Sequence, residues 1–223
     1  MILVNFKTYP EGTGERAVVL AKLCEKVGRE TGAEIVPLVQ AVDLFRVKQE
    51  VKIPVWVQHL DWQAQGQFTG FTNLEAAAGA GAAGALLNHA EHKMAMGTIE
   101  RTVKRLRSLK FKSLRVMVCC RSLGQAERLV KFKPDFLAYE PPELIGGKIS
   151  VSTAKPEAIK HFVEICGKVQ PVIGAGIKTA EDVAVGVRLG ARGFLVASGV
   201  VLAHSPEKVL TDLAKEDATL KKI

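Results

Sequence analysis

Short apolar runs alternate with amphipathic stretches along the whole chain. Eight runs, at 2–6, 34–38, 55–58, 85–88, 115–119, 136–139, 171–173 and 193–197, are apolar at both odd and even positions. A strand with one wet face alternates in polarity. A strand buried on both faces does not, so these runs read as strands of a parallel sheet covered on both sides. Between them, apolar positions recur at helical spacing. The stretch 14–31 carries Val18, Leu20, Ala21, Cys24 and Val27, and 98–109 carries Ile99, Val103 and Leu106. The stretch 156–169 opens on Pro156 and the last helix on Ser205-Pro206. A first helical turn has no use for the N–H that proline lacks.

Strand starts recur about every 27 residues, and eight such units in 223 residues match an α/β chain closed into a (β/α)8 barrel near the lower end of its size range. The competing architecture is an open doubly wound sheet. A nucleotide-binding sheet of that kind wants Gly-x-Gly-x-x-Gly or a Walker loop after its first strand, and NFKTYPEGTGERA follows neither pattern. No Pro/Ser-rich linker divides the chain, so one barrel domain over 1–223 is expected. The run AAAGAGAAGALL at 76–87 reads as close helix–strand packing with glycine at the turn. It falls short of the ~18 apolar residues that span a bilayer, and no membrane partner is expected. MILVNFK carries no basic leader region, so the expected compartment is the cytoplasm.

Hydrophobic residues at 48% and charged residues at 24% exclude disorder as a description of the chain. The four cysteines, Cys24, Cys119, Cys120 and Cys166, include no Cys-x-x-Cys pair. Neighbours in a strand point to opposite faces, so Cys119 and Cys120 suit neither a shared metal nor a bridge, and reduced buried thiols are expected. The five histidines are scattered without zinc-ligand spacing, and no metal is expected. The net charge of +8 is concentrated: residues 101–133 hold 11 basic residues and one acid, Glu127. Such a stripe can mark nucleic-acid binding, but no zinc finger or RNA-recognition aromatic motif accompanies it. It reads as a solvated outer face that draws in phosphorylated small molecules.

In a barrel of this kind chemistry collects at the C-terminal strand ends. Those ends carry Asn5-Phe6-Lys7, Gln58-His59, Asn88-His89-Ala90-Glu91, Glu140-Pro141-Pro142, Gly174-Ala175-Gly176 and Ala197-Ser198-Gly199. Small residues after strands seven and eight let backbone N–H groups approach an anion, as at the usual phosphate site of the fold. Glu140 stands at the root of a long glycine-bearing loop that two prolines stiffen at its start, a layout suited to a lid over a general base. His89 is a candidate acid or electrophile and Lys7 a candidate cation on the same rim.

With these residues in place, the sequence resembles the triosephosphate isomerase family, and its compact archaeal-type branch in particular. The likeness runs through all eight units. It is carried by NFK at 5–7, GQFTG at 66–70, LNHAE at 87–91, YEPPELIG at 139–146, GAGI at 174–177 and ASGV at 197–200. The resemblance implies a TIM barrel that interconverts dihydroxyacetone phosphate and glyceraldehyde 3-phosphate without metal or organic cofactor. It implies Glu140 as the base, His89 as a neutral electrophile, Lys7 as the positive charge facing the enediolate, and Asn5 as a substrate contact. Glu91 falls where the family supports that lysine. Ile145 and Gly146 fall in the lid, and Gly146, Gly176, Ala197 and Ser198 bring N–H groups to the phosphate. Thr69 falls in a loop that enters a neighbouring subunit, so a homo-oligomer, dimer or tetramer, is implied.

The chain departs from the family pattern at Ala90, where a serine usually follows the histidine, and at Gly147-Lys148, which replace Thr-Gly in the lid. Two other readings compete. A different phosphate-binding barrel would share the turns but not the Lys7, His89 and Glu140 set. A polyanion-binding scaffold would use the basic stretch and leave that set unexplained.

Overall fold

The structure, a computed structural model, describes residues 1–108, 113–144 and 155–220. Eight parallel strands close on themselves in chain order: β1 (Ile2–Asn5), β2 (Ile35–Val39), β3 (Trp56–Val57), β4 (Gly84–Leu87), β5 (Arg115–Cys120), β6 (Phe136–Tyr139), β7 (Gln170–Ile173) and β8 (Gly193–Val196). Each lies within one residue of the run expected for it. The seam is formed by β8 and β1, with Phe194 opposite Ile2 and Leu195 opposite Leu3.

Helices alternate with the strands: α1 (Glu15–Thr31), α2 (Ala41–Glu50), α3 (Leu74–Gly79), α4 (Met96–Ser108), α5 (Leu123–Leu129), α6 (Pro156–Cys166), α7 (Ala180–Arg188), the single turn α8 (Ser198–Val201) and α9 (Pro206–Leu220). The apolar stripe of α1 is buried at Val18, Leu20, Ala21, Cys24 and Val27, as its spacing requires. The expected helix over 156–169 stops short, at Cys166. Gly167, at φ 55°, turns the chain out of the helix, and Val169 leads into β7.

The pleat sorts strand residues into two cores. Leu3, Val36, Leu38, Trp56, Leu86, Met117, Cys119, Phe136, Ala138, Val172 and Leu195 fill the barrel. Ile2, Val4, Ile35, Val57, Leu87, Val118, Cys120, Leu137, Ile173, Phe194 and Val196 pack outward under the helices. Burying a side chain of this size contributes ~1.5–3 kcal/mol. Both sets are apolar, which is why the strands show no alternation in sequence. Cys119 and Cys120 fall on opposite sides as expected, and all four cysteines are free and buried. The Ala/Gly run does what its small residues suggest. Gly81 turns at φ 94°, and Gly84 leaves room for Trp56, whose Cε2 would stand 2.3 Å from a Cβ there. Among the described residues, no helix is long and apolar enough to cross a membrane.

Candidate active site

Because the side-chain period of a strand is two, the interior rows continue past the strand ends. Asn5 follows Leu3 by two residues, Asn88 follows Leu86, Glu140 follows Ala138, Gly174 follows Val172 and Ala197 follows Leu195. One pocket at the C-terminal mouth is lined by Asn5, Lys7, His89, Glu140, Gly176, Ala197 and Ser198. The expected site residues from five different strand ends therefore meet in one place.

Lys7 leaves β1 in the left-handed region at φ 48°, unusual for a residue with a side chain. Its backbone is held there from both sides. Its N–H donates to Asn5 Oδ1 at 3.0 Å, and its carbonyl accepts from Gln58 Nε2 at 3.0 Å. Gln58 Nε2 also donates to the Leu38 carbonyl at 3.1 Å, tying the turn to β2. The ammonium pairs with Glu91 Oε1 at 2.5 Å.

His89 is 7% exposed. Its Nδ1 accepts the Glu91 N–H at 3.2 Å, which assigns the ring proton to Nε2. That Nε2 stands 3.6 Å from Glu140 Oε1. Burial lowers the imidazole pKa, an effect that Glu91 partly offsets and the Lys7 charge slightly adds to, so the ring is neutral at neutral pH. The loop that carries it is braced by Asn88, at φ 60°, whose side chain donates to the Cys119 carbonyl at 2.8 Å and accepts the Met94 N–H at 3.0 Å.

Glu140 is 3% exposed. Its Oε2 is buried with no hydrogen-bond partner. Burial pushes its pKa up to about 7, partly offset by the Cys119 thiol beside it and by Lys7. A carboxyl poised there can take and return a proton at neutral pH. At the other end of the pocket Gly176 turns at φ 71°, and α8 begins at Ser198. The first N–H groups of a helix lack intrahelical partners and suit an anion.

Four residues that touch this site had no role in the sequence reading. Gly174 faces Glu140, and Cys119 lies beneath the carboxylate. Tyr9 and Lys178 also line the pocket. For Gly174 the signal was a glycine on the interior row directly after β7. For Cys119 it was the same row in β5, two residues past Met117. Ala90 lines a second cavity behind Glu140 with Cys119, Cys120 and Arg121.

Ile145 and Gly146, with Gly147 and Lys148, lie outside the described residues. Thr69 is exposed in the loop after β3, between Phe68 and Phe71, which are 44% and 47% exposed and meet edge to face at 6.1 Å. Four of the basic residues in the stretch are engaged locally. Arg101 stacks on Trp62, Lys104 pairs with Glu100, Arg105 with Glu75 and Arg107 with Asp135. Among the described residues, no group of three or more His, Cys, Asp or Glu could hold a metal ion.

Known proteins match this arrangement over nearly its whole length. The family model for triosephosphate isomerase matches residues 1–215. The triosephosphate isomerase of Methanothermobacter thermautotrophicus is 44% identical over 220 residues, covering 97% of this chain and 95% of its own. That of Methanothermus fervidus is also 44% identical, covering 97% and 98%. That of Methanosarcina acetivorans is 39% identical over 218 residues, covering 96% and 97%. With its closed eight-stranded barrel and full-length likeness, the chain belongs to the triosephosphate isomerase family of intramolecular aldose–ketose isomerases.

Proposed function

We propose that the protein interconverts dihydroxyacetone phosphate and D-glyceraldehyde 3-phosphate by proton transfer through Glu140, as a step of glycolysis and gluconeogenesis. One observation carries this reading. A buried carboxylate of raised pKa faces the Nε2 of a neutral imidazole, in a pocket whose far end is a turn of backbone N–H groups.

The phosphate binds at Gly176, Ala197 and Ser198, which sets the substrate carbons between Glu140 and His89. Glu140 removes a proton from C1 of the ketose while the His89 Nε2–H donates to the carbonyl oxygen. The charge of the enediolate develops opposite Lys7, and the low dielectric of the pocket strengthens that attraction. The proton of the C1 hydroxyl passes to the C2 oxygen, Glu140 returns its proton to C2, and C1 is left as the aldehyde of the aldose. A neutral imidazole suits the task, since its Nε2–H can polarise the carbonyl oxygen as a hydrogen-bond donor. Ile145 and Gly146 close over the intermediate and exclude water, which protects the enediolate from losing phosphate. Asn5 holds both the Lys7 turn and the substrate. Neither a metal nor an organic cofactor takes part.

The exposed Phe68–Thr69–Phe71 segment supports a homo-oligomer in which Thr69 reaches a second copy. A cytoplasmic, single-domain enzyme fits the family likeness over the whole barrel.

The test is turnover of glyceraldehyde 3-phosphate by the purified protein beside Glu140→Asp and Lys7→Ala. Fast turnover in the parent, with losses of ~100-fold or more in each variant, is expected. A folded parent without turnover overturns the reading.

A further inference from the structure

The phosphate end of the pocket holds a cation to which no role has been given. Lys178 lies in the loop between β7 and α7 and lines the pocket beside Gly176, Ala197 and Ser198. Its backbone is fixed from one side. The N–H groups of Lys178 and Thr179 and the Thr179 hydroxyl all donate to Asp182 Oδ2, at 3.0, 2.9 and 2.9 Å, within the capping box that starts α7. Its stem is placed from the other side. Lys178 Cγ would stand 3.5 Å from a Cβ on Gly199, so the stem passes over the first turn of α8. The side chain is exposed, and its ammonium makes no ion pair with a described residue. By contrast, Lys7, Lys22, Lys26, Lys104, Lys160 and Lys208 each pair with a carboxylate.

We propose that Lys178 is a substrate-binding residue whose ammonium engages the phosphate group held over α8, an inference that rests on the isomerase reading above. Backbone N–H groups and a helix end supply only partial charges. A phosphate carries up to two negative charges, and a mobile ammonium is a suitable point charge to complete its neutralisation. The consequence for catalysis follows from position. The phosphate keeps its charge throughout the reaction, so Lys178 binds substrate and transition state alike. Uniform binding of this kind appears in KM and not in kcat. Because the charge is exposed, its effect is also screened by salt.

The experiment titrates inorganic phosphate into the parent, Lys178→Gln and Lys178→Arg by calorimetry, and measures kcat and KM for each at low and high ionic strength. Lys178→Gln is expected to weaken phosphate binding ~3- to 10-fold and raise KM by the same factor, with kcat within ~2-fold of the parent. Lys178→Arg restores most of the affinity, and kcat/KM in Lys178→Gln depends less steeply on salt. Phosphate affinity equal to the parent's in Lys178→Gln overturns the inference, as does a fall in kcat at constant KM. A parent that binds phosphate without turning over triose phosphate overturns the isomerase reading instead, and the phosphate titration still decides on Lys178.

Discussion

Gly174 and Glu140 share one space. A Cβ on Gly174 would lie 2.7 Å from Glu140 Cγ and 2.9 Å from its Oε1. The end of β7 is therefore cut away to let the carboxylate that follows the preceding strand, β6, lean over the barrel. Both the aliphatic part and a carboxylate oxygen stand in the way of a methyl group.

Gly174→Ala is expected to displace the carboxylate rather than unfold the barrel, because the Glu140 side chain can move where backbone cannot. A shift of even 1 Å at a reacting group costs on the order of 100-fold in rate. We expect kcat to fall by about that factor, with the thermal midpoint within a few degrees of the parent. Steady-state kinetics beside a melting curve measures both. Unchanged kcat would show that the carboxylate does not use this space.

The pH dependence follows from the same carboxyl. Glu140 must be ionised to act as a base and has a pKa of about 7. Its kcat/KM profile should fall on the acid side with a midpoint near 7. The Cys119 thiol lowers that pKa, so Cys119→Ala should move the midpoint up.

Stability carries the opposite sign. The folded pKa lies above the ordinary value of 4.5, so below about 4.5 the group is protonated in both states and imposes no penalty. As pH rises through about 7, the folded protein must ionise a buried carboxyl. Glu140→Gln should therefore gain stability over the parent above pH 7, by up to roughly 3 kcal/mol, and match it near pH 4. Denaturant unfolding at the two pH values tests this. An equal difference at both would remove the titration as its cause.

Gln58 offers a separate handle on Lys7. Its amide donates to the carbonyls of Lys7 and Leu38 and so holds a positive-φ turn that costs ~1–3 kcal/mol to maintain. Gln58→Ala should relax the turn and move the ammonium away from the pocket. We expect a ~10- to 100-fold loss of kcat/KM, with Glu140's acid limb shifted up as the nearby positive charge recedes. A pH profile with the parent's midpoint would mean that Lys7 stays in place without the brace.

In the barrel interior, Gly84→Ala would drive a methyl into Trp56, with Cε2 at 2.3 Å and Cδ2 at 2.5 Å. The indole is fixed by Phe136, whose ring centroid lies 5.6 Å away. Overpacking of this kind costs ~1–3 kcal/mol. A fall in the thermal midpoint of several degrees is expected, with kcat little changed because the contact lies deep in the interior. A midpoint equal to the parent's would show that Trp56 has room to move.

The strands were legible because strands buried on both faces leave continuous apolar runs, and eight of them admit few closed arrangements. The polar residues at their ends were legible for the same reason: Asn5, His89 and Glu140 interrupt those runs at one side only. The gathering of these residues around one pocket followed from strand direction. Less legible were residues whose contribution is steric or apolar. Nothing in the chemistry of Gly174 distinguishes it from the glycine at 176, since the reason for it is a side chain on another strand. Cys119 looked like any buried thiol, because its neighbour Glu140 comes 21 residues later and meets it only across the β5–β6 pair. The end of α6 was misjudged because Val169 continues the helical spacing, whereas the turn at Gly167 sets the boundary.

The β8–β1 seam decides when the site comes into being. Lys7 and Asn5 stand on the first strand, and the turn at Ala197–Ser198 follows the last, which pairs with the first across nearly the full length of the chain. On the proposed reading, a chain still being synthesised has the cation and the histidine long before it has a place for a phosphate. Only the final ring closure brings the two halves of the pocket together. On the same reading, activity therefore requires barrel closure, and a partly folded chain has no competent site in which to start the reaction and release a half-converted intermediate to water.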